Sequence, residues 1–199
     1  MKKYITKIYT VITSRTFGHS VQTLGVFLMV ATVFGVGTVH PVVFAKEEIV
    51  ASVSDVRTED EVLWLARTVY SETKISEEQL LVAWVIRNRV ESKQYPDTYK
   101  EVVLQRGQFS GLHPSDKQYG INMSLTLGHT GPGWDSSIEI ARAVYDARGI
   151  LRPFPKTVRH FYSPQSVTVH PSWATDEKPV RVIRSENKEN IRFAFYDSI

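Results

Sequence analysis

Glu77-Glu78-Gln79-Leu80-Leu81-Val82-Ala83-Trp84-Val85-Ile86-Arg87-Asn88-Arg89-Val90-Glu91-Ser92 decides the fold. Its middle, Leu80–Ile86, is apolar without interruption and covers every side of a helix for about two turns. A helix apolar all round has no side to give to water, so this one is expected to be the buried axis of a domain. The helix upstream, about Glu59–Ser71, carries Val62, Leu65, Ala66 and Val69 at helical spacing and supplies one wall. A short helix is expected after Pro96-Asp97, through Val102-Val103-Leu104. Another, about Ser137–Arg148, should bury Ile140, Ala143, Val144 and Ala147. Thr58 with Glu61, Ser76 with Gln79 and Ser136 with Glu139 read as capping boxes at three of these helix starts.

Downstream the pattern changes. Residues 111–135 hold five glycines and two prolines, and read as a long connection. After Arg152-Pro153 come short extended runs, Val158–Tyr162, Val167–Val169, Val180–Ile183 and Ile191–Tyr196. The last alternates Ile191, Phe193 and Phe195 with Arg192, Ala194 and Tyr196, as a half-buried strand does. The expected class is α+β: mainly helical, with a small antiparallel sheet in the C-terminal third.

The chain has 199 residues, 42% hydrophobic and 23% charged, with no cysteine. That excludes a disulfide framework, a thiolate metal site and a cysteine nucleophile. Residues 1–45 contain Lys2, Lys3, Lys7 and Arg15 and no acid. The remainder has 20 Lys and Arg against 21 acids, so no basic field is left to collect nucleic acid. A basic head, the weakly polar to apolar run Leu24–Val39 and the small-residue boundary Val43-Phe44-Ala45 make residues 1–45 a signal peptide or signal anchor. Either form places the rest outside the cytoplasm, in the periplasm, cell envelope or extracellular space, with a membrane contact only if the leader is retained. Residues 46–57 read as a linker, and 58–199 as the functional domain.

Glu72 extends the stripe of Val62, Leu65 and Val69 by one turn and so leaves its helix on the core side. A glutamate at a frayed helix end ordinarily turns to water. Here Tyr70 and the apolar second helix flank it, a setting that raises a carboxyl pKa and suits a general acid. Glycosidic cleavage requires such an acid at the departing oxygen. In Gly107-Gln108-Phe109-Ser110, an amide and a hydroxyl flank an aromatic ring, a combination suited to sugars; a turn whose Phe109 plugs the core is an equal alternative. His160 and Tyr162 share one face of a strand with Phe161 opposite. Tyr162 is either a sugar contact or a core tyrosine, and Trp173 either a sugar platform or a clamp on the sheet. His113, Asp116, His129 and His170 lack a ligand spacing on a helix, so neither metal nor other cofactor is expected.

Several pieces resemble the cell-wall hydrolase family typified by the bacterial spore-cortex-lytic enzyme. They are Leu65-Ala66-Arg67-Thr68-Val69-Tyr70-Ser71-Glu72, Val82-Ala83-Trp84-Val85-Ile86-Arg87-Asn88-Arg89-Val90, Tyr95-Pro96-Asp97-Thr98 and Gly107-Gln108-Phe109-Ser110. Ile140-Ala141-Arg142-Ala143-Val144, His160-Phe161-Tyr162-Ser163-Pro164, Pro171-Ser172-Trp173-Ala174 and Phe195-Tyr196 follow in order, so the resemblance covers about Asp60–Tyr196. It implies a lysozyme-like fold, peptidoglycan strands as partner and cleavage of the β-1,4 bond between N-acetylmuramic acid and N-acetylglucosamine. It puts the family's essential acid on Glu72. The candidate substrate contacts are Tyr70, Gln108, Phe109, Ser110, His160, Tyr162 and Trp173. The chain departs from the family at Thr73-Lys74-Ile75-Ser76, where a small residue, Arg, Gly and Glu are usual, and at Phe193, where His is usual. Three functions stay open: a lytic transglycosylase using one glutamate, a muramidase with water and a second carboxylate among Asp97, Asp116 and Asp135, and a non-catalytic peptidoglycan-binding or envelope scaffold.

Overall fold

The computed structural model describes residues 44–197 apart from Asp176 and Asn187, with side chains from Asp55 onward. The basic head of the leader, its apolar run and Val43 lie outside the described residues. Residues 44–54 are helical backbone, and the compact unit that carries the site spans Asp55–Ile199. Among the described residues no helix is long and apolar enough to cross a membrane.

Helix α1 runs Phe44–Glu72. The stretch 46–57, expected as a linker without clear period, is helical, and Thr58 lies inside the helix and caps nothing. No glycine or proline occurs between Phe44 and Glu72, so nothing local stops the helix at position 58. Its core stripe is the expected one: Val62, Leu65, Ala66 and Val69 are buried, and Glu72 is the last helical residue.

Helix α2, Ser76–Val90, is the interior axis, with Leu81 through Ile86 all buried. It packs against helix α3 (Tyr99–Val103), helix α5 (Trp134–Asp146) and strand β1 (Val158–Tyr162). The Ser76–Gln79 capping box does not form, because Ser76 is already helical and Ile75 is the cap, with no side-chain bond. Thr73 takes over: its Oγ1 accepts from Ile75 N at 3.1 Å and donates to Glu78 Oε2 at 2.5 Å. Gln79 donates from Nε2 to Thr73 O at 2.8 Å and to Ser137 Oγ at 2.9 Å, tying the α1–α2 turn to α5. At the far end Glu91 pairs with Arg87 and Arg152, each at 2.7 Å.

Helix α5 also starts without its box. Gly133 precedes it at φ 78, a left-handed position that glycine adopts without strain, and Ser136 Oγ bonds Gly133 O and Gln79 Oε1 instead. Trp134, Ser137, Ala141 and Val144 face inward, and of the expected stripe Ile140, Ala143, Val144 and Ala147 only Val144 is fully buried. The span 111–135 is not one loop: it holds helix α4, Tyr119–Ser124, which follows a 3-10 turn at Ser110–Leu112. Arg67 of α1 stops α4 by donating to Met123 O at 3.0 Å and Leu125 O at 2.7 Å.

The sheet has three antiparallel strands in the order β1-β3-β2, with β2 at Arg181–Arg184 and β3 at Ile191–Asp197. Val167–Val169 is not a strand, and Val169 is 81% exposed. In β3 the alternation is overridden, since Phe193 through Tyr196 are all buried. Phe193 and Phe195 pack on Phe161 on one face, while Trp173 covers Tyr196 and Tyr162 on the other. The architecture is α+β and mainly helical, with the small antiparallel sheet C-terminal.

Candidate active site

A cleft of about 860 Å³ opens where the end of α1, the Gly107–Ser110 loop and the sheet meet. Glu72, Gln108, Phe109, Ser110 and Tyr162 all line it, as do Arg89 and Arg192. Among the lining residues Glu72 is the only acid.

Glu72 is half-buried and lines the cleft, and its carboxyl group is largely desolvated. Burial pushes its pKa up to about 7, while the Arg89 guanidinium works in the opposite direction. The neutral acid and the charged base are thus both populated near neutral pH. No hydrogen bond or close ion pair engages this carboxyl among the described residues, which leaves it available to a ligand. The turn after it is rigid, because Thr73 is buried in the network of Glu78, Ile75 and Gln79. The departure at Thr73-Lys74-Ile75-Ser76 therefore has a structural counterpart in this chain.

Arg89 is 3% exposed. Its Nε donates to Arg159 O and its Nη1 to Gln108 Oε1, both at 2.8 Å. Its guanidinium also lies over the rings of Tyr95 and Phe109, 5.5 and 5.6 Å from their centroids. This stack and fork hold the loop in a backbone it would otherwise avoid: Phe109 sits at φ 27, two residues after Gly107 at φ 77. The Phe109 ring is buried against Phe161, so it is a core plug that also walls the cleft. Gly111 brings the same loop onto α1, where a Cβ would stand 2.9 Å from Ser71 Cβ, one residue before Glu72.

The remaining candidates divide. Tyr162 lines the cleft, and its hydroxyl pairs with His170 Nδ1 at 3.0 Å. His160 and Trp173 do not line it; their rings pack together at 5.0 Å, which makes Trp173 a clamp on the outer face of the sheet. Tyr70 does not line it either, and packs edge-on against Trp134 at 5.5 Å with Lys74 over its ring. Phe193, where the family usually has His, lines the cleft between aromatic neighbours. Asp97, Asp116 and Asp135 are not on the wall; Asp116 accepts from Gln118 N and Asp135 from Gly131 N. His113 lines the cleft with Nδ1 on Ser115 Oγ at 2.8 Å, and His129 meets Thr126 Oγ1 at 2.8 Å.

A family model described as Cell Wall Hydrolase matches residues 74–189, more than half of the chain. The chain belongs to the cell wall hydrolase family. Peptidoglycan is accordingly its substrate, and hydrolysis of the cell wall its general activity. The matched span takes in Arg89 and the Gly107–Ser110 loop; Glu72 lies just before it and Arg192 just after. No curated protein and no solved structure matches the chain.

For a cell wall hydrolase the residues missed in the sequence are the two arginines. Arg89 lies three, four and seven positions after Ile86, Val85 and Val82, on the buried side of α2, and that misplacement is a readable signal. Arg192 offers none, because its partner Glu78 is 114 positions away.

Proposed function

We propose that this cell wall hydrolase cleaves the β-1,4 bond between N-acetylmuramic acid and N-acetylglucosamine as a lytic transglycosylase, with Glu72 as the single acid and base. The observation that carries this reading is that, among the described residues, Glu72 is the only acid that lines the cleft. A muramidase of the two-carboxylate kind places its second acid across the scissile bond, within about 5–10 Å of the first. Asp97, Asp116 and Asp135 are not on that wall. Protonated Glu72 gives its proton to the glycosidic oxygen as the C1–O bond breaks and the bonding pair leaves with N-acetylglucosamine. The muramic acid 6-hydroxyl then attacks C1 and returns a proton to the Glu72 carboxylate, which leaves a 1,6-anhydro end and restores the acid. An internal nucleophile held in place removes the need for an activated water.

The acid–base assignment draws support from the pKa near 7, because one group must both give and take a proton. Gln108 and Ser110 supply polar contacts to acetamido and hydroxyl groups, and Tyr162 the opposite wall. The leader, residues 1–45, is read as carrying the enzyme out of the cytoplasm to this substrate. Mass spectrometry of the fragments released from purified sacculi tests the route. Wild type should release 1,6-anhydro muropeptides and Glu72→Gln none. Reducing ends without anhydro sugars would overturn the transglycosylase route in favour of water, and binding without release would favour a scaffold.

A further inference from the structure

Arg192 enters the cleft from the start of strand β3, and it is held from behind. Its Nε donates to Glu78 Oε1 at 2.5 Å and its Nη2 to Oε2 at 3.2 Å. Only one edge of the guanidinium is used by this pair. Of the five N–H donors, both on Nη1 and one on Nη2 remain. The Arg192 side chain is 41% exposed and that of Glu78 1%, so the acid is interior and the unused edge is on the solvent side. Glu78 is itself fixed by Thr73 at 2.5 Å, on the turn that directly follows Glu72.

A solvent-facing arginine needs no buried acid for solubility, and burying a carboxylate carries a desolvation cost. What the arrangement does achieve is a guanidinium of fixed plane and direction. Such a fork matches the two oxygens of a carboxylate, and a group ordered in advance loses less entropy on binding. The charges on the wall agree: among the described residues it carries Arg89 and Arg192 against Glu72 alone.

We propose that Arg192 is a carboxylate-reading subsite of the cleft, taking an acidic group borne by the muramic acid residue. This rests on the cleft being the glycan site. The carboxylate has two sources, the lactyl group of a strand without peptide or the acidic residues of an attached stem peptide. The enzyme thereby prefers strands bearing free carboxylates over strands of the same sugars in which they are masked.

The test compares full-length protein on native strands, on amidase-stripped strands that keep only lactyl carboxylates, and on strands amidated throughout by carbodiimide coupling. Wild type should show a KM about tenfold higher on amidated strands, with kcat little changed, the loss expected for one charge-assisted contact. Arg192→Gln should raise KM about tenfold on native strands and abolish the difference between native and amidated ones. That variant leaves Glu78 buried and unpaired, so the double variant Glu78→Gln/Arg192→Gln, which replaces the ion pair by amides, is measured with it alongside the melting temperature. A preference retained on stripped strands identifies the lactyl carboxylate; one confined to native strands identifies the peptide. Equal KM on native and amidated strands in wild type, or a folded double variant that keeps the preference, overturns the subsite. If Glu72→Gln cleaves as well as wild type, the reading of the cleft fails and the subsite with it; Glu72-dependent cleavage blind to amidation sinks the subsite alone.

Discussion

Arg89 donates from Nη1 to Oε1 of Gln108 at 2.8 Å, and that bond decides which end of the amide is left for a ligand. With the oxygen occupied, the Gln108 NH2 is the free end at the cleft. It is a donor, suited to a carbonyl such as that of an acetamido group. Gln108→Glu keeps an acceptor for Arg89 but removes both donors. It should lower kcat/KM by at least about tenfold, one lost hydrogen bond plus repulsion of the substrate oxygen, while the melting temperature holds or rises. Full activity in this variant would remove Gln108 from the list of substrate contacts.

Glu72→Gln keeps size and hydrogen bonding and removes the transferable proton. Cleavage should fall by roughly 10²–10⁴-fold with the fold intact. Glu72→Asp should fail as well, since one methylene less withdraws the acid from hydrogen-bond reach. Turbidity loss of sacculi, read beside circular dichroism, separates lost chemistry from lost structure.

The pKa of Glu72 also sets a stability trend. Burial raises it from 4.5 to about 7, so between those values the folded state holds a proton that the unfolded chain releases. Stability contributed by the neutral carboxyl is complete below 4.5 and is lost as pH rises through about 7. Glu72→Gln, neutral throughout, should be more stable than wild type at alkaline pH by roughly 1–3 kcal/mol, and the gap should close in acid. Urea melts across this range measure it. A gap independent of pH would mean that the carboxyl is not buried as described.

Arg89→Met removes the cation that opposes the rise at Glu72. The alkaline limb of the pH–rate profile, set by loss of the acid's proton, should move upward. The change also strips Arg159 O and Gln108 Oε1 of their donor; the exposed Gln108 can turn to water, while the half-buried Arg159 carbonyl loses a bond worth about 1 kcal/mol. An unchanged limb in a folded variant would separate Arg89 from the acid.

Gly111→Ala places a methyl group 2.9 Å from Ser71 Cβ, backbone-linked atoms that cannot swing away. The loop or the end of α1 must shift, costing about 1–3 kcal/mol, and Glu72 shifts with it. Activity should therefore fall further than the melting temperature accounts for.

Much of this protein is determined by the sequence alone. The uninterrupted apolar run of α2 makes that helix interior in any compact fold, because no side of it can face water. Glu72 falls in the stripe of Val62, Leu65 and Val69 by helical spacing, which put an acid at the core edge before any contact was seen. The alternation of β1 set Phe161 opposite His160 and Tyr162, and the two faces are divided in that way. What the sequence misread was local: three capping boxes, the helical backbone of 46–57 and a strand at Val167–Val169. Box residues recur at many helix positions, and whether one caps depends on where the backbone starts to coil. At α2 that start is fixed by Thr73 and Glu78, and at α5 by the left-handed Gly133. Only the tertiary structure decided the company Glu72 keeps. Arg89 reaches Gln108 across 19 residues and Arg192 reaches Glu78 across 114, and no periodicity runs that far. Tyr70, His160 and Trp173 are aromatic, as several residues of the cleft wall are, yet they pack against Trp134 and the outer face of the sheet. Spacing along the chain fixes which face of an element a side chain is on; what stands opposite that face is fixed by how the elements pack.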